Sequence, residues 1–205
     1  TLAESAARIE IEILKRTMGK QDHYAAAYGD LNVLTFHVNE NVTVEPVFYS
    51  SEVHQKIASN LLLFYTTKKR NASEILKVQD QVTPNKLSVL RQMKNLVEPL
   101  REVILSGESL HQIGEILHEN WELKRSLTDL TSSKEIDKCY LKALQAGAIG
   151  GKLLGAGGGG FLIFYVEPDK HDSVIKALSS LYHLKFRFDT SGTRITYYDQ
   201  STFHD

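Results

Sequence analysis

The sequence predicts an α+β fold, and three observations predict it. Short segments alternate apolar and polar residues as strands do, longer ones repeat apolar residues at spacings of three and four as helices do, and "KLLGAGGGGFLIFYV" at 152–166 joins a glycine-rich stretch to a solid apolar run. The chain has 205 residues, 42% hydrophobic and 24% charged, the composition of ordinary globular material. A net charge of −1 points to neither a nucleic-acid nor a membrane surface as partner. Cys139 is the single cysteine; it excludes an internal disulfide and leads us to expect a reducing cytoplasm. No apolar run approaches the roughly 20 residues of a membrane span. Thr1 falls inside a helical pattern with no initiator Met, so the chain is expected to be the later part of something longer.

Residues 2–18 carry Leu2, Ala6, Ile9 and Ile13 at spacings of 4, 3 and 4, the stripe of an amphipathic helix that Met18-Gly19-Lys20 ends. "LNVLTFHV" and "NVTVEPVF" alternate as two strands joined through a turn at Asn39-Glu40-Asn41. "NLLLFYTT" (60–67) reads as a buried strand, and a domain boundary is placed near residue 55, giving domains 1–55 and 56–205. Helices are expected over 71–82, 85–105 with a kink at Pro99, 108–120 and 133–146. The last opens on the capping-box pattern Ser132-Ser133-Lys134-Glu135 and stops at Gly147. A strand at 161–166, a helix at 168–181 and strands near 184–189 and 193–199 complete the chain.

Eight of the 13 glycines lie between 147 and 160. Gly155-Ala156-Gly157-Gly158-Gly159-Gly160 satisfies G-x-G-x-x-G formally, but the dinucleotide fingerprint needs a strand before it and a helix after it. The pattern here reads as a helix followed by a strand. A P-loop fails as well, because Gly151-Lys152 is followed by Leu153 and position 146 is Ala. Two readings stay open: close packing of two backbones, or a nest of bare N–H groups for an anion.

Acidic residues gather near the start, at Glu10, Glu12, Asp22 and Asp30. At about 100° per residue, Glu10 lies roughly 70° off the apolar stripe, at the rim of the helix. Asp22 follows Lys20 in a short loop ahead of Ala25-Ala26-Ala27. A loop carboxylate beside a cation suits hydroxyl activation, and it equally suits a helix cap. His111 and His118, seven apart, lack a set of acidic or thiol partners for a metal. Lys124 and Arg125, in "WELKRS" just after a helix, suit either a solvated surface or a phosphate.

Together these pieces resemble the GHMP small-molecule kinases. "GKLLGAGGGGF" is similar to that family's third motif, "GKQDHYAAAYGDLN" to its sugar-kinase aspartate loop, and the combination with "HENWELKRSL" to its heptose 7-phosphate kinases. The resemblance runs essentially the whole chain. It implies the end of a domain like ribosomal S5 domain 2, followed by a ferredoxin-like C-terminal domain. It also implies a cytoplasmic ATP- and Mg²⁺-dependent transferase that moves the γ-phosphate to the anomeric C1 hydroxyl of D-glycero-D-manno-heptose 7-phosphate. Its partners would be ATP and a small-molecule sugar phosphate. By the same resemblance Asp22 falls on the catalytic aspartate and Glu10 on the Mg²⁺-holding helix glutamate. Gly155, Ala156, Gly157, Gly158, Gly159 and Gly160 fall on the phosphate-supporting third motif, and Lys124 and Arg125 are the candidate seat of a substrate phosphate. His23 stands where Gln is commoner. The family's second motif, P-x-x-x-G-L-G-S-S-S, which wraps the ATP phosphates, does not occur in these residues. The fragment alone is therefore expected to be inactive, with Ile9 and Ile13 left uncovered. Alternatives are another sugar kinase of the same family, galactokinase- or fucokinase-like, or a non-catalytic sugar-sensing relative.

Overall fold

The computed structural model describes residues 1–67 and 72–198. The chain forms two compact units, one of Thr1–Val47 with the returning segment from Phe188, the other of Phe48–Arg187. The crossing at Val47/Phe48 lies ahead of residue 55, and the segment from Phe188 associates with the first unit, where the sequence placed it in the second.

In the first unit, Thr1 caps helix α1 (Leu2–Arg8) by accepting the Glu4 N–H, and Glu4 reaches back to complete the capping box. The helix then widens into a π turn over Ile9–Ile13, so the long regular helix expected to residue 18 is cut short. Its apolar stripe is not what it buries. Leu2, Ile9 and Ile13 are exposed, whereas Ala3 and Ala7 are buried as α1 packs on α2 (Gln21–Tyr28). Small side chains let the two axes approach, and Glu10, three residues past Ala7, continues that face. Strands β1 (Asn32–Phe36) and β2 (Val42–Pro46) pair antiparallel from Asn32↔Pro46 to Phe36↔Val42. His37 N–H donates to Asn41 O at 2.9 Å and closes the turn expected there. The returning segment is tied on by Asp30 N–H to Asp189 O (2.8 Å) and Thr193 N–H to Ala27 O (3.1 Å). Over residues 193–198 it forms no strand; residue 199 lies outside the described residues.

The second unit begins with α3 (Ser51–Asn60), capped by Ser50, and runs directly into β3 (Leu61–Tyr65). Helices α4 (Ala72–Val82), α5 (Leu87–Asn95), α6 (Val97–Ser106), α7 (Gln112–Arg125) and α8 (Lys134–Gln145) follow. The expected kinked helix over 85–105 is two helices broken at Leu96, because Pro99 cannot donate and sits in the first turn of α6. Then come β4 (Ala148–Leu153), β5 (Phe161–Val166), α9 (His171–Ala177) and β6 (Tyr182–Leu184). The strands form one antiparallel sheet in the order β4-β5-β3-β6. Helical crossings separate β3 from β4 and β5 from β6, the β-α-β-β-α-β arrangement of ferredoxin-like folds.

Phe64 and Phe164 stack edge to face across the sheet, and with Trp121, Tyr140, Leu153, Leu162 and Val174 they form the core. Each such side chain contributes about 1.5–3 kcal/mol by leaving water. Strand β4 escapes a reading by propensity, since "AIGGKL" carries two glycines that weaken a strand. Packing makes it one. A Cβ at Gly150 would stand 2.0 Å from Gly114 O of α7, and one at Gly151 would stand 2.2 Å from Ile163 O. Gly150 lets α7 lie flat on β4 and Gly151 makes room for the neighbouring strand β5, so close packing is the right reading for this pair.

Candidate active-site residues

Gly155–Gly160 belong to the connection between β4 and β5, closed by Leu154 N–H donating to Phe161 O at 2.8 Å. The loop therefore follows a strand and not a helix, as the sequence had suggested. The dinucleotide reading still fails, because no helix opens after it. Gly155, Gly157, Gly158 and Gly160 all have positive φ, which only glycine takes without strain. The loop is pinned from several sides. Gly158 N–H donates to Thr131 O at 2.9 Å, and Gly160 N–H donates to Thr66 Oγ1 at 3.0 Å. Gln79 Nε2 donates to Ala156 O at 3.2 Å, and Lys124 Nζ donates to Gly155 O. The N–H groups of Gly155, Ala156, Gly157 and Gly159 have no protein partner among the described residues. An array of free donors on a fixed loop is what an anionic oxygen requires. The Gly158 and Gly160 donors are spoken for, so the nest is smaller than the motif suggests.

Lys124 lies on the last turn of α7. Burial, and then the neighbouring Lys152, lower its ammonium from the ordinary lysine range to about 8. Lys152 of β4 donates to Asn120 Oδ1 at 2.5 Å, and burial lowers it too. Neither lysine has a carboxylate partner among the described residues. Two half-buried ammoniums side by side without an acid are costly, and a bound anion offsets that cost. Arg125 behaves differently. It is held by Glu122 (2.9 and 3.2 Å) and by Asp137 (3.2 Å), so of the predicted basic pair only Lys124 is available. Lys152 was missed. It sits in the very motif quoted for the glycines, but its proximity to Lys124 arises only when β4 packs on α7.

The lowered Lys124 value has a consequence for stability. Below about 8 both folded and unfolded chains hold the proton. As pH rises from there towards the unfolded value near 10.5, the folded chain has released it and the unfolded chain has not. Folding therefore gains stability with pH across that window. Denaturant midpoints taken at about pH 7.5 and about pH 10 should rise for the native chain relative to Lys124→Met. An identical pH dependence in both would remove Lys124 as the source.

In the first unit, Asp22 is exposed on the first turn of α2 and makes no side-chain hydrogen bond or ion pair among the described residues. Lys20 does not attend it. Its ammonium instead pairs with Glu40 at the β1–β2 turn, which raises Lys20 and lowers Glu40. Glu10 pairs with Arg16 at 3.0 Å and lies 3.7 Å from His23 Nε2. His23 is nearly buried, and its Nδ1 has no hydrogen-bond partner among the described residues. Among the described residues no group of three or more His, Cys, Asp or Glu side chains could hold a metal. The Glu10 carboxylate is a hard oxygen donor of the kind Mg²⁺ takes, but a metal ion would have to displace both basic neighbours.

Residues 93–184 match the family model described as GHMP kinases C terminal. The chain carries a GHMP kinase C-terminal domain. Outside that domain the likeness extends further along the chain. It is 30% identical over 182 residues to the D-glycero-alpha-D-manno-heptose 7-phosphate kinase of Campylobacter jejuni, covering 86% of this chain and 52% of that protein. It is 25% identical over 211 residues to the galactokinase of Pyrococcus furiosus, covering 88% of this chain and 57% of that one. Among solved structures, the D-glycero-D-manno-heptose 1-phosphate kinase of Bacteriodes thetaiotaomicron superposes with a TM-score of 0.60 at 27% identity, covering 91% of this chain and 51% of that one. The chain thus spans about half the length of these relatives. In the GHMP kinase domain, the model's span holds the glycine loop, Lys124, Arg125 and Lys152, while Asp22 and Glu10 lie before it. Among the described residues no helix is long and apolar enough to cross a membrane.

Proposed function

We propose that this chain is the acceptor-activating and phosphate-supporting part of a sugar kinase acting at the C1 hydroxyl of D-glycero-D-manno-heptose 7-phosphate. The observation that carries the reading is the similarity to the Campylobacter jejuni heptose 7-phosphate kinase over 86% of the chain. Residues 1–47 are then the end of the S5-like domain. ATP, with Mg²⁺, supplies the phosphoryl group. Enzymes of this chemistry mostly position groups and balance charge. Asp22, an exposed carboxylate without a partner among the described residues, orients the sugar hydroxyl and accepts its proton. The free N–H groups of Gly155, Ala156, Gly157 and Gly159 support phosphate oxygens, and Lys124 with Lys152 places positive charge beside them. Glu10 is the carboxylate we assign to Mg²⁺, at the expense of its pairing with Arg16 and His23.

The test is a phosphotransfer assay on the full-length protein that contains these residues. We expect kcat/KM for heptose 7-phosphate to exceed that for the dephosphorylated heptose, galactose and fucose by a factor on the order of 10², the contribution of a charge-paired phosphate. A second reading, a galactokinase- or fucokinase-like enzyme for a neutral sugar, is favoured by the ion pairs that occupy Arg125. Equal or better turnover of galactose or fucose would establish it. Within the heptose reading, Lys124→Ala is expected to raise KM for heptose 7-phosphate about tenfold and leave the dephosphorylated sugar unaffected. Arg125→Ala should alter neither. Parallel losses on both substrates would assign Lys124 a structural role.

A further inference from the structure

The end of the second unit's sheet opposite the glycine loop holds a cavity of about 610 Å³ lined by Ser59, Leu61, His171, His183, Lys185 and Arg187, among others. Among the described residues that line it, four are basic and none is acidic. Its separation from the loop follows from the strand register. Leu61 and Leu62 line it at the start of β3, whereas Thr66, just past the other end, ties Gly160. Four to five residues at about 3.3 Å each place the two about 13–16 Å apart.

The basic groups come from different elements. His183 lies on β6 with its ring 5.2 Å from that of Phe64. Lys185 and Arg187 follow at alternate positions just beyond that strand. Both are exposed, and neither forms an ion pair among the described residues. His171, at the start of α9, has Nε2 3.0 Å from Val166 O, which leaves Nδ1 as its remaining polar atom. Ser59 at the end of α3 lines the cavity with a hydroxyl that donates to Lys56 O at 3.0 Å, and Ala58, Leu61 and Leu62 form an apolar wall. His183 is lowered by burial, then by Lys185 and His171. Other titratable groups lie close in sequence, with Glu167 held by Asn60 and Asp169 paired with Lys170, and none of these lines the cavity.

We infer that this cavity is a second anion site, distinct from the glycine loop, for a small organic phosphate. Lys185, Arg187 and His171 receive the phosphate, and the apolar wall takes the body of the ligand. The volume is in the range of small-molecule pockets and larger than an inorganic ion needs. A bound dianion offsets the repulsion between Lys185 and Arg187 and raises His183.

The experiment follows the ring Cε1–H resonances of His171 and His183 in the full chain by NMR, assigned with His171→Gln and His183→Gln. Inorganic phosphate and adenosine monophosphate are the two probes. Both should move these two resonances and raise the His183 titration midpoint by about one unit, with adenosine monophosphate binding more tightly. The exposed double variant Lys185→Gln/Arg187→Gln should weaken both affinities at least about tenfold. Resonances that stay still through millimolar concentrations of both probes overturn the site. So do shifts that persist unchanged in the double variant. Adenosine monophosphate binding no tighter than inorganic phosphate overturns the organic-ligand assignment. Phosphate held only at the glycine loop leaves both rings unmoved, so this outcome is separable from failure of the kinase reading.

Discussion

If Asp22 accepts the hydroxyl proton as proposed, Asp22→Asn in the full-length protein that contains these residues should lower turnover by a factor on the order of 10² or more, the range of a lost general base. Asn keeps the size of the side chain and removes its capacity to take a proton. The position favours a clean result. Asp22 is exposed and holds no partner among the described residues, so its structural contribution there is that of an acid in the first turn of α2. That contribution is about 0.3–1 kcal/mol. Thermal stability should therefore barely fall, and the KM for ATP should stay near the native value. Turnover within a few-fold of native would remove Asp22 from the reaction. Loss of activity in step with loss of folded protein would reduce it to the helix-terminal acid that its sequence position also allows.

Gly150→Val is expected to have the largest effect on folding, a loss of about 3 kcal/mol read from denaturant midpoints. The cause is geometric. The added Cβ alone would meet Gly114 O at 2.0 Å and the Cβ of His118 at 2.7 Å, and backbone cannot rotate aside. Helix α7 would have to lift from β4. It carries Trp121, fully buried in the core, and Lys124 at its end, so the glycine loop should lose its lysine as the sheet loses its cover. Gly155→Ala is the contrasting variant. Its φ of +72° is strained for alanine, but no atom of the described residues lies within 4 Å of the new Cβ, so its cost is about 1 kcal/mol. A Gly150→Val chain as stable as Gly155→Ala would show that the helix and strand can separate freely. It would also return the glycines at 150 and 151 to the loop's chemistry.

Where a structural signal is local, the sequence carries it. The five apolar residues after Phe161 can only be an interior strand, and Ser133 caps α8 because its hydroxyl reaches the Ile136 N–H within one turn. The β1–β2 hairpin follows from alternation and the turn at Asn39–Asn41, and the aspartate loop and glycine run carry the family resemblance as contiguous strings. By itself, then, the sequence determined the α+β class, most element positions and the candidate chemistry. The tertiary structure decided what depends on partners distant in the chain. Strand β4 exists because α7 and β5 press on "AIGGKL" from both sides, against its own weak propensity. Glu10 meets His23 because Ala3 and Ala7, and not the larger apolar residues, face α2. Lys20 goes to Glu40 across the hairpin turn, and Arg125 goes to Asp137 on the next helix. Lys124 and Lys152, 28 positions apart in the chain, become neighbours only through the packing of α7 on β4. Hydrophobic period and capping act over one or two turns, whereas an ion pair or a close approach is fixed by which elements share a face. That choice is made by the whole packed chain.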